Sequence, residues 1–465
     1  MRLKMEVSKK TSKTKIDMTQ GPIMKLIVLF AIPMVIGNIL QQLYSTADTL
    51  IIGNFCGPTS IAAVGTSSQP VEVFMCIFMG IGGGVSILVS IYTGAGNQNR
   101  LGKLIRTAIS FTYMAAIPLS VLGIILTPVI LKFMQVPSDT WDLAVIYIRI
   151  VFLGLLGNMG YNMNAGILRG IGDSTASLVF LIISTITNIV LDLLFIAILK
   201  MDVAGAALAT IIAMYFSWIA SIIYIKHKYP ALPFTVLPRY IDKSALAEIL
   251  KTGIPLGLNN SLYTVGHILM QSFINTQGSS FMAGTSICGK IMGIASVAIT
   301  SFSSAMSTFA GQNYGARNYK RLVKGGRIVP FYSALITIAL GIIMYTFAKP
   351  MVQLFTRDEL TTQYALLCIS IQLPFQWCYC VLNTILNLAN GIGGVKYSTV
   401  INLLMLWAVR IPSAYLISRF YDGHYVTFGI SISFMFGMVA SLTFFRSKKW
   451  KAITNQTQDA ITQTI

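Results

Sequence analysis

The sequence predicts an all-α polytopic membrane protein. Twelve transmembrane helices form two six-helix lobes related by an internal parallel repeat. Three observations predict this. Hydrophobic residues make up 55% of the chain and charged residues 11%, with mean hydropathy +0.71; a soluble chain carries about 25% charged residues. Apolar runs near the ~20 residues needed to span a bilayer recur from end to end. Finally, the chain repeats itself. Gly94-Ala95 is followed by Asn97, Arg100, Lys103 and Arg106, and Gly315-Ala316 by Asn318, Arg321, Lys324 and Arg327, each at an offset of 221 positions. The same offset relates Gly170-Ile171-Gly172 to Gly391-Ile392-Gly393. Two separated patches sharing one offset mark paired halves. An even number of spans per half makes the repeat parallel rather than inverted.

Taken in order, residues 1–22 form a polar cytoplasmic tail. Its basic stretch looks like a signal-peptide n-region, but a full-length span without a cleavage site follows, so it is expected to be retained. The first lobe, 23–226, holds spans at 23–52, 60–90, 104–131, 142–166, 174–199 and 203–225. Residues 227–246, with Pro230, Pro233 and Pro238, read as a cytoplasmic linker. The second lobe, 247–446, holds spans at 248–273, 281–309, 327–348, 362–389, 396–418 and 425–445. Residues 447–465 form a second cytoplasmic tail.

The net charge of +19 invites a nucleic-acid reading, which the positions of the charges oppose. Lys9, Lys10, Lys13, Lys15 and Lys25 precede the first span. Arg100, Lys103 and Arg106 follow the second, Arg317, Lys320, Arg321, Lys324 and Arg327 the eighth, and Arg446, Lys448, Lys449 and Lys451 the last. The alternate loops have few basic residues. The positive-inside rule then puts both termini in the cytoplasm, with the protein integral to a prokaryotic plasma membrane. Anionic lipid supports the same orientation.

The six cysteines suggest no disulfide framework or metal site, because Cys76, Cys288, Cys368, Cys378 and Cys380 fall in spans as small hydrophobes. Gly284 to Lys290 matches GxxxxGK, but Ile291 stands where a phosphate-binding loop needs a hydroxyl, and the segment is inside a span. With no nucleotide site, transport runs on an ion gradient or downhill, and no cofactor is expected.

Several spans carry polar residues at helical spacing. Span one has Asn38, Gln41, Gln42, Ser45 and Asp48; span four Asn158, Tyr161 and Asn162; span seven Asn260, Tyr263 and His267; span ten Gln376, Tyr379 and Asn383. Lipid cannot satisfy such faces. They serve either as interhelical glue or as the lining of a cleft. Matching stripes on repeat partners favour a shared substrate cleft, to which Glu72 adds a cation contact. Arg149, Lys290 and Arg410 are expected to hold packing.

The intramembrane acids mark an ion path, since a carboxylate at membrane depth costs at least ~3 kcal/mol. Asp48, Asn188, Asp192 and Thr210 share a depth within roughly 10–15 Å of the outer face. Their ligands are all oxygen, which suits a hard cation such as Na+. Two adjacent acids equally favour holding a proton.

These residues resemble the multidrug and toxic compound extrusion (MATE) transporters over about 20–445. The resemblance is carried by Pro33 through Asp48-Thr49, by Gly94-Ala95 and Gly315-Ala316, by Leu168-Arg169-Gly170 and by Arg410-Ile411-Pro412. It implies secondary active export of cationic amphipathic compounds by antiport with H+ or Na+, through alternating access of two lobes. The match leans to the DinF-like branch, where an acidic site in the first lobe draws on helices 1, 5 and 6; Asp48, Asn188, Asp192 and Thr210 fall on those positions. The carboxylates of the NorM-like branch in helices 7 and 10 have no counterpart here. The alternative is a lipid-linked saccharide or lipid flippase of the same superfamily. An enzyme is not expected: His227, His267 and His424 lie in separate segments. Expected partners are small cationic substrates and membrane lipids, with no nucleic acid, and the protein is expected to act as a monomer.

Overall fold

Backbone amides find no partner in hydrocarbon, so apolar spans must close their own hydrogen bonds as helices. The computed structural model describes residues 15–133, 136, 138–238, 240–447 and 450. Lys9, Lys10, Lys13, Arg239, Lys448, Lys449 and Lys451 lie outside the described residues, as do the side chains of Ser45, Glu72 and Asp139.

The spans are α1 (Ile23–Phe55), α2 (Pro58–Gly94), α3 (Gln98–Phe133), α4 (Ser138–Leu153 and Leu155–Ile171), α5 (Ser174–Asp192, continuing as a π-helical turn, Leu193–Ile198) and α6 (Asp202–Lys228). The second half repeats the order with α7 (Lys243–Asn275), α8 (Ser279–Gly315), α9 (Tyr319–Thr346), α10 (Glu359–Gln372 and Gln376–Gly391), α11 (Val395–Leu403, the π turn Leu404–Arg410, and Ile411–Phe420) and α12 (Phe428–Arg446). Ten of these are long and apolar enough to cross a bilayer, and the bent α4 adds an eleventh. The remaining one, α7, carries the Asn260–His267 polar stripe, which lowers its hydropathy.

Besides the interruptions in α10 and α11, three helices depart from the expected spans. The fourth breaks at Gly154 with a 45° bend. A Cβ there would lie 2.2 Å from Ile211 Cγ2, so glycine lets α6 pack against the break. The fifth widens into its π turn immediately after Asp192. The seventh begins at Lys243, inside the expected linker, because Asp242 caps it: Ala245 N–H donates to Asp242 Oδ1 at 3.0 Å. Asp173 caps α5 in the same way, accepting from Ala176 N–H at 3.1 Å. It also accepts from Tyr224 at 2.9 Å, Tyr229 at 2.6 Å and Lys228 at 3.3 Å. Satisfying a fully buried carboxylate this way ties the start of α5 to the end of α6.

The chain forms two compact units, one comprising Ile32–Leu258 and the other Met18–Ala31 with the described residues from Asn259 on. Both α1 and α7 therefore change unit along their length, close to Pro33 and Pro255. Within the first unit, α2 and α7 cross at Gly80, Gly84, Gly253 and Gly257. A Cβ on Gly80 would lie 2.1 Å from the Gly257 nitrogen, and one on Gly84 2.8 Å from the Gly253 Cα. The core of this unit gathers Val85, Leu104, Ile105 and Ile167, and that of the second Phe281, Cys288, Ile291 and Cys368.

Candidate functional site

In the first unit, the end of α5 brings Asn188 and Asp192 to one face, one turn apart and both fully buried. Lipid-facing neighbours such as Ile186 and Val190 remain exposed. The Asn188 amide donates to Thr210 Oγ1 of α6 at 3.4 Å. Thr210 also meets the Tyr44 hydroxyl of α1 at 3.3 Å. One turn beyond Tyr44, the Asp48 carboxyl comes within hydrogen-bonding reach of Asp192. The four residues expected from the sequence thus converge.

The electrostatics of this group are unbalanced. Asp48 Oδ1, Asn188 Oδ1 and both Asp192 oxygens are buried and receive no donor from the protein. Two ionised carboxyls held together in low dielectric repel unless a proton or cation stands between them. The donor set is all oxygen, as a hard monovalent cation requires. Among the described residues no group of three or more His, Cys, Asp or Glu side chains gathers to hold a metal.

Two members of the group escaped the sequence. Tyr44 lies one turn before Asp48, so its place on that stripe was the available signal. Tyr147 of α4 is near enough to Asp48, Tyr44 and Asp192 to interact with them electrostatically, and nothing in its apolar helix marks it. The π turn after Asp192 was also not foreseen; such turns occur at functional sites, where they leave backbone groups out of the regular ladder.

The expected cleft residues divide between the units. In the first, Gln41 and Gln42 are exposed and Asn38 is half-buried. Asn162 Nδ2 donates to Asn158 Oδ1 at 2.9 Å, and the Tyr161 hydroxyl donates to Ser177 O at 3.3 Å. The Asn162–Asn158 bond lies within α4, whereas the Tyr161 bond crosses to α5. In the second, Gln376 is buried, with its amide 3.6 Å from Met292 Sδ, so it joins α10 to α8. Asn260 and His267 are exposed, and Tyr263, Tyr379 and Asn383 half-buried.

Arg410 sits behind Tyr263. Its guanidinium stacks between the Tyr263 and Phe434 rings at 5.3 and 5.2 Å. It donates through Nε to Ser433 Oγ at 3.0 Å and through Nη1 to the Tyr263 hydroxyl at 3.3 Å. Its Nη2 has no acceptor. Aromatic faces and hydroxyls of α7 and α12 thus surround the guanidinium of α11.

A single family model, MatE, matches the chain twice, over residues 33–194 and 255–416. The chain is 30% identical over 441 residues to the probable multidrug resistance protein YpnP of Bacillus subtilis (strain 168), covering 94% of this chain and 98% of that protein. It is 24% identical over 437 residues to a protein of Shewanella oneidensis named FAD transporter, covering 88% and 91%. Among solved structures, that of MATE in complex with MaL6 superposes with a TM-score of 0.89 at 22% identity, covering 96% of this chain and all of that one. The outward-facing conformation of a multidrug resistance MATE family transporter of the MOP superfamily gives 0.88 at 22% identity, covering 96% and 99%.

Proposed function

The chain belongs to the MatE family, and from that premise we propose that this multidrug efflux transporter exports cationic amphipathic compounds in exchange for H+ or Na+, coupled at Asp48 and Asp192. The observation that carries the proposal is the convergence of buried carboxylate and amide oxygens that no protein group satisfies. A proton or Na+ supplies the missing positive charge. When it leaves, repulsion between the two carboxyls favours a different arrangement of α1 against α5 and α6. An ion shifts an equilibrium only if it binds one state more tightly, and a site whose two acids come from different helices meets that condition. Asn188 and Thr210 supply neutral oxygens, and Tyr44 orients Thr210. Both termini lie in the cytoplasm, and the protein works as a monomer.

A second reading concerns the cargo. Arg410 is a buried guanidinium with one nitrogen lacking an acceptor, behind a half-buried face of Tyr263, Tyr379 and Asn383. An acidic group on a zwitterionic cargo would complete it, and one relative is named an FAD transporter.

Everted membrane vesicles test both. A lipophilic cationic dye should accumulate when a proton or a sodium gradient is imposed and not without one. Accumulation that ignores both gradients overturns the coupling, and uptake of an acidic flavin in preference to the dye overturns the cationic cargo.

A further inference from the structure

The second unit holds an open groove of about 1000 Å³ that the transport reading does not use. One wall is the segment Thr19–Met24 and the other is the outer face of α9. The first wall is fixed in place. Just upstream, Met18 is fully buried: its N–H donates to Gln312 Oε1 at 3.0 Å, and its carbonyl accepts from Asn313 Nδ2 at 3.0 Å and Arg321 Nε at 3.2 Å. Gly21, at φ 86, then turns the chain into α1.

The second wall changes character along its length. Lys320, Lys324, Ile328, Tyr332 and Ile336 all line the groove and recur every four residues, so each neighbours the next along a ridge that winds about the helix. Lys320 and Lys324 are exposed, and neither has an ion-pair partner among the described residues. Ile328 is half-buried, while Tyr332 and Ile336 are exposed. From Lys324 to Ile336 the helix rises about 18 Å, close to the ~15 Å thickness of one hydrocarbon leaflet. The groove thus begins at a basic mouth formed by Lys320, Arg321 and Lys324 and runs as an apolar track about as long as an acyl chain.

We propose that this groove binds an anionic glycerophospholipid, with its phosphate between Lys320 and Lys324 and one acyl chain along Ile328, Tyr332 and Ile336. Charge complementarity selects this occupant. Two adjacent ammonium groups, neither paired with an acid among the described residues, favour a phosphate, and long lysine stems reach the interface from the helix end. The chain's own N-terminus is an unsuitable occupant, since residues 1–14 carry five basic residues against the single acid Glu6. A free anion would leave the apolar track empty.

The test uses the full-length protein in detergent, with thermal unfolding as the readout, so it does not depend on ion coupling or cargo. Phosphatidylglycerol should raise the Tm, whereas phosphatidylcholine and inorganic phosphate should not. Lys320→Gln with Lys324→Gln should cut the phosphatidylglycerol shift by at least half and leave the lipid-free Tm unchanged. The equal charge removal Lys226→Gln with Lys243→Gln should keep the shift, which separates a site from diffuse attraction to a chain of net charge +19. Tyr332→Ser, at an exposed position, should also reduce the shift. Equal shifts with phosphatidylcholine, a full shift from inorganic phosphate, or equal losses in both double variants would each overturn the proposal.

Discussion

The hydroxyl of Tyr44 lies 3.3 Å from that of Thr210, joining α1 to α6 one helical turn from Asp48. The contact places the Asp48 carboxyl against Asp192 of α5, although these residues are far apart in sequence. With the Asn188–Thr210 bond, three helices meet at one point.

Neutralising either acid should separate coupling from folding. Asp48→Asn and Asp192→Asn keep side chains of similar shape that do not titrate. Dye export driven by an imposed gradient should fall at least ~10-fold, equivalent to ~1.4 kcal/mol, while yield and Tm stay near wild type. Asp139→Asn should be silent. Wild-type export by both acid variants, with the gradient still required, would place coupling elsewhere.

Tyr44→Phe removes only the hydroxyl that meets Thr210. The lost hydrogen bond should cost about 0.5–1.5 kcal/mol, read as a lowered Tm, and export should slow several-fold because Asp48 loses its fixed neighbour. Thr210→Val should do the same and also strip the acceptor from Asn188. Two variants indistinguishable from wild type in both assays would show that the contact is incidental.

The α2–α7 crossing leaves no room for a methyl group. Gly80→Ala should destabilise by about 1–3 kcal/mol through forced separation of the helices. Gly289→Ala makes the same chemical change where nothing lies within 4 Å of the added Cβ and should leave the Tm unchanged or slightly higher. Comparable Tm values for the two variants would remove the crossing as a constraint.

Asp242 links stability to pH at the start of α7. The Ala245 backbone N–H holds its carboxyl below the usual carboxylate range, and Lys103, 3.5 Å away, adds to the effect. A lowered folded value means that the stabilisation is complete above the unfolded value of about 3.9 and is lost as pH falls through the folded value. Tm measured from pH 6 downward should therefore drop more steeply for wild type below about pH 4 than for Asp242→Asn, with the gap between them narrowing in acid.

Cys56 reports on topology, but slowly. Burial and the hydrogen-bonded carboxyl of Asp202 push its thiol up to about 12, so little thiolate exists at neutral pH. An impermeant maleimide applied to intact cells should label it at least ~10-fold more slowly than an ordinary thiol, with a rate still climbing above pH 9. Asp202→Asn should accelerate the reaction. Ala231→Cys, in the linker, should label only after the membrane is opened; equal labelling from outside would invert the orientation.

By itself the sequence determined the class, the number of spans and the repeat. Lipid enforces these locally: an apolar run of membrane length closes its backbone hydrogen bonds as a helix. It also carried Asp48, Asn188, Asp192 and Thr210, because an acid or amide inside an apolar helix is conspicuous against its neighbours. Only the tertiary structure brought Tyr44 and Tyr147 to that group, broke α4 at Gly154 and wound α5 into a π turn. It also turned Gln376 and Tyr161 toward helix packing, though their spacing resembled that of cleft residues. Helical periodicity tells which residues share a face. Which neighbour that face meets is set by packing between helices distant in sequence, and local spacing carries no record of it.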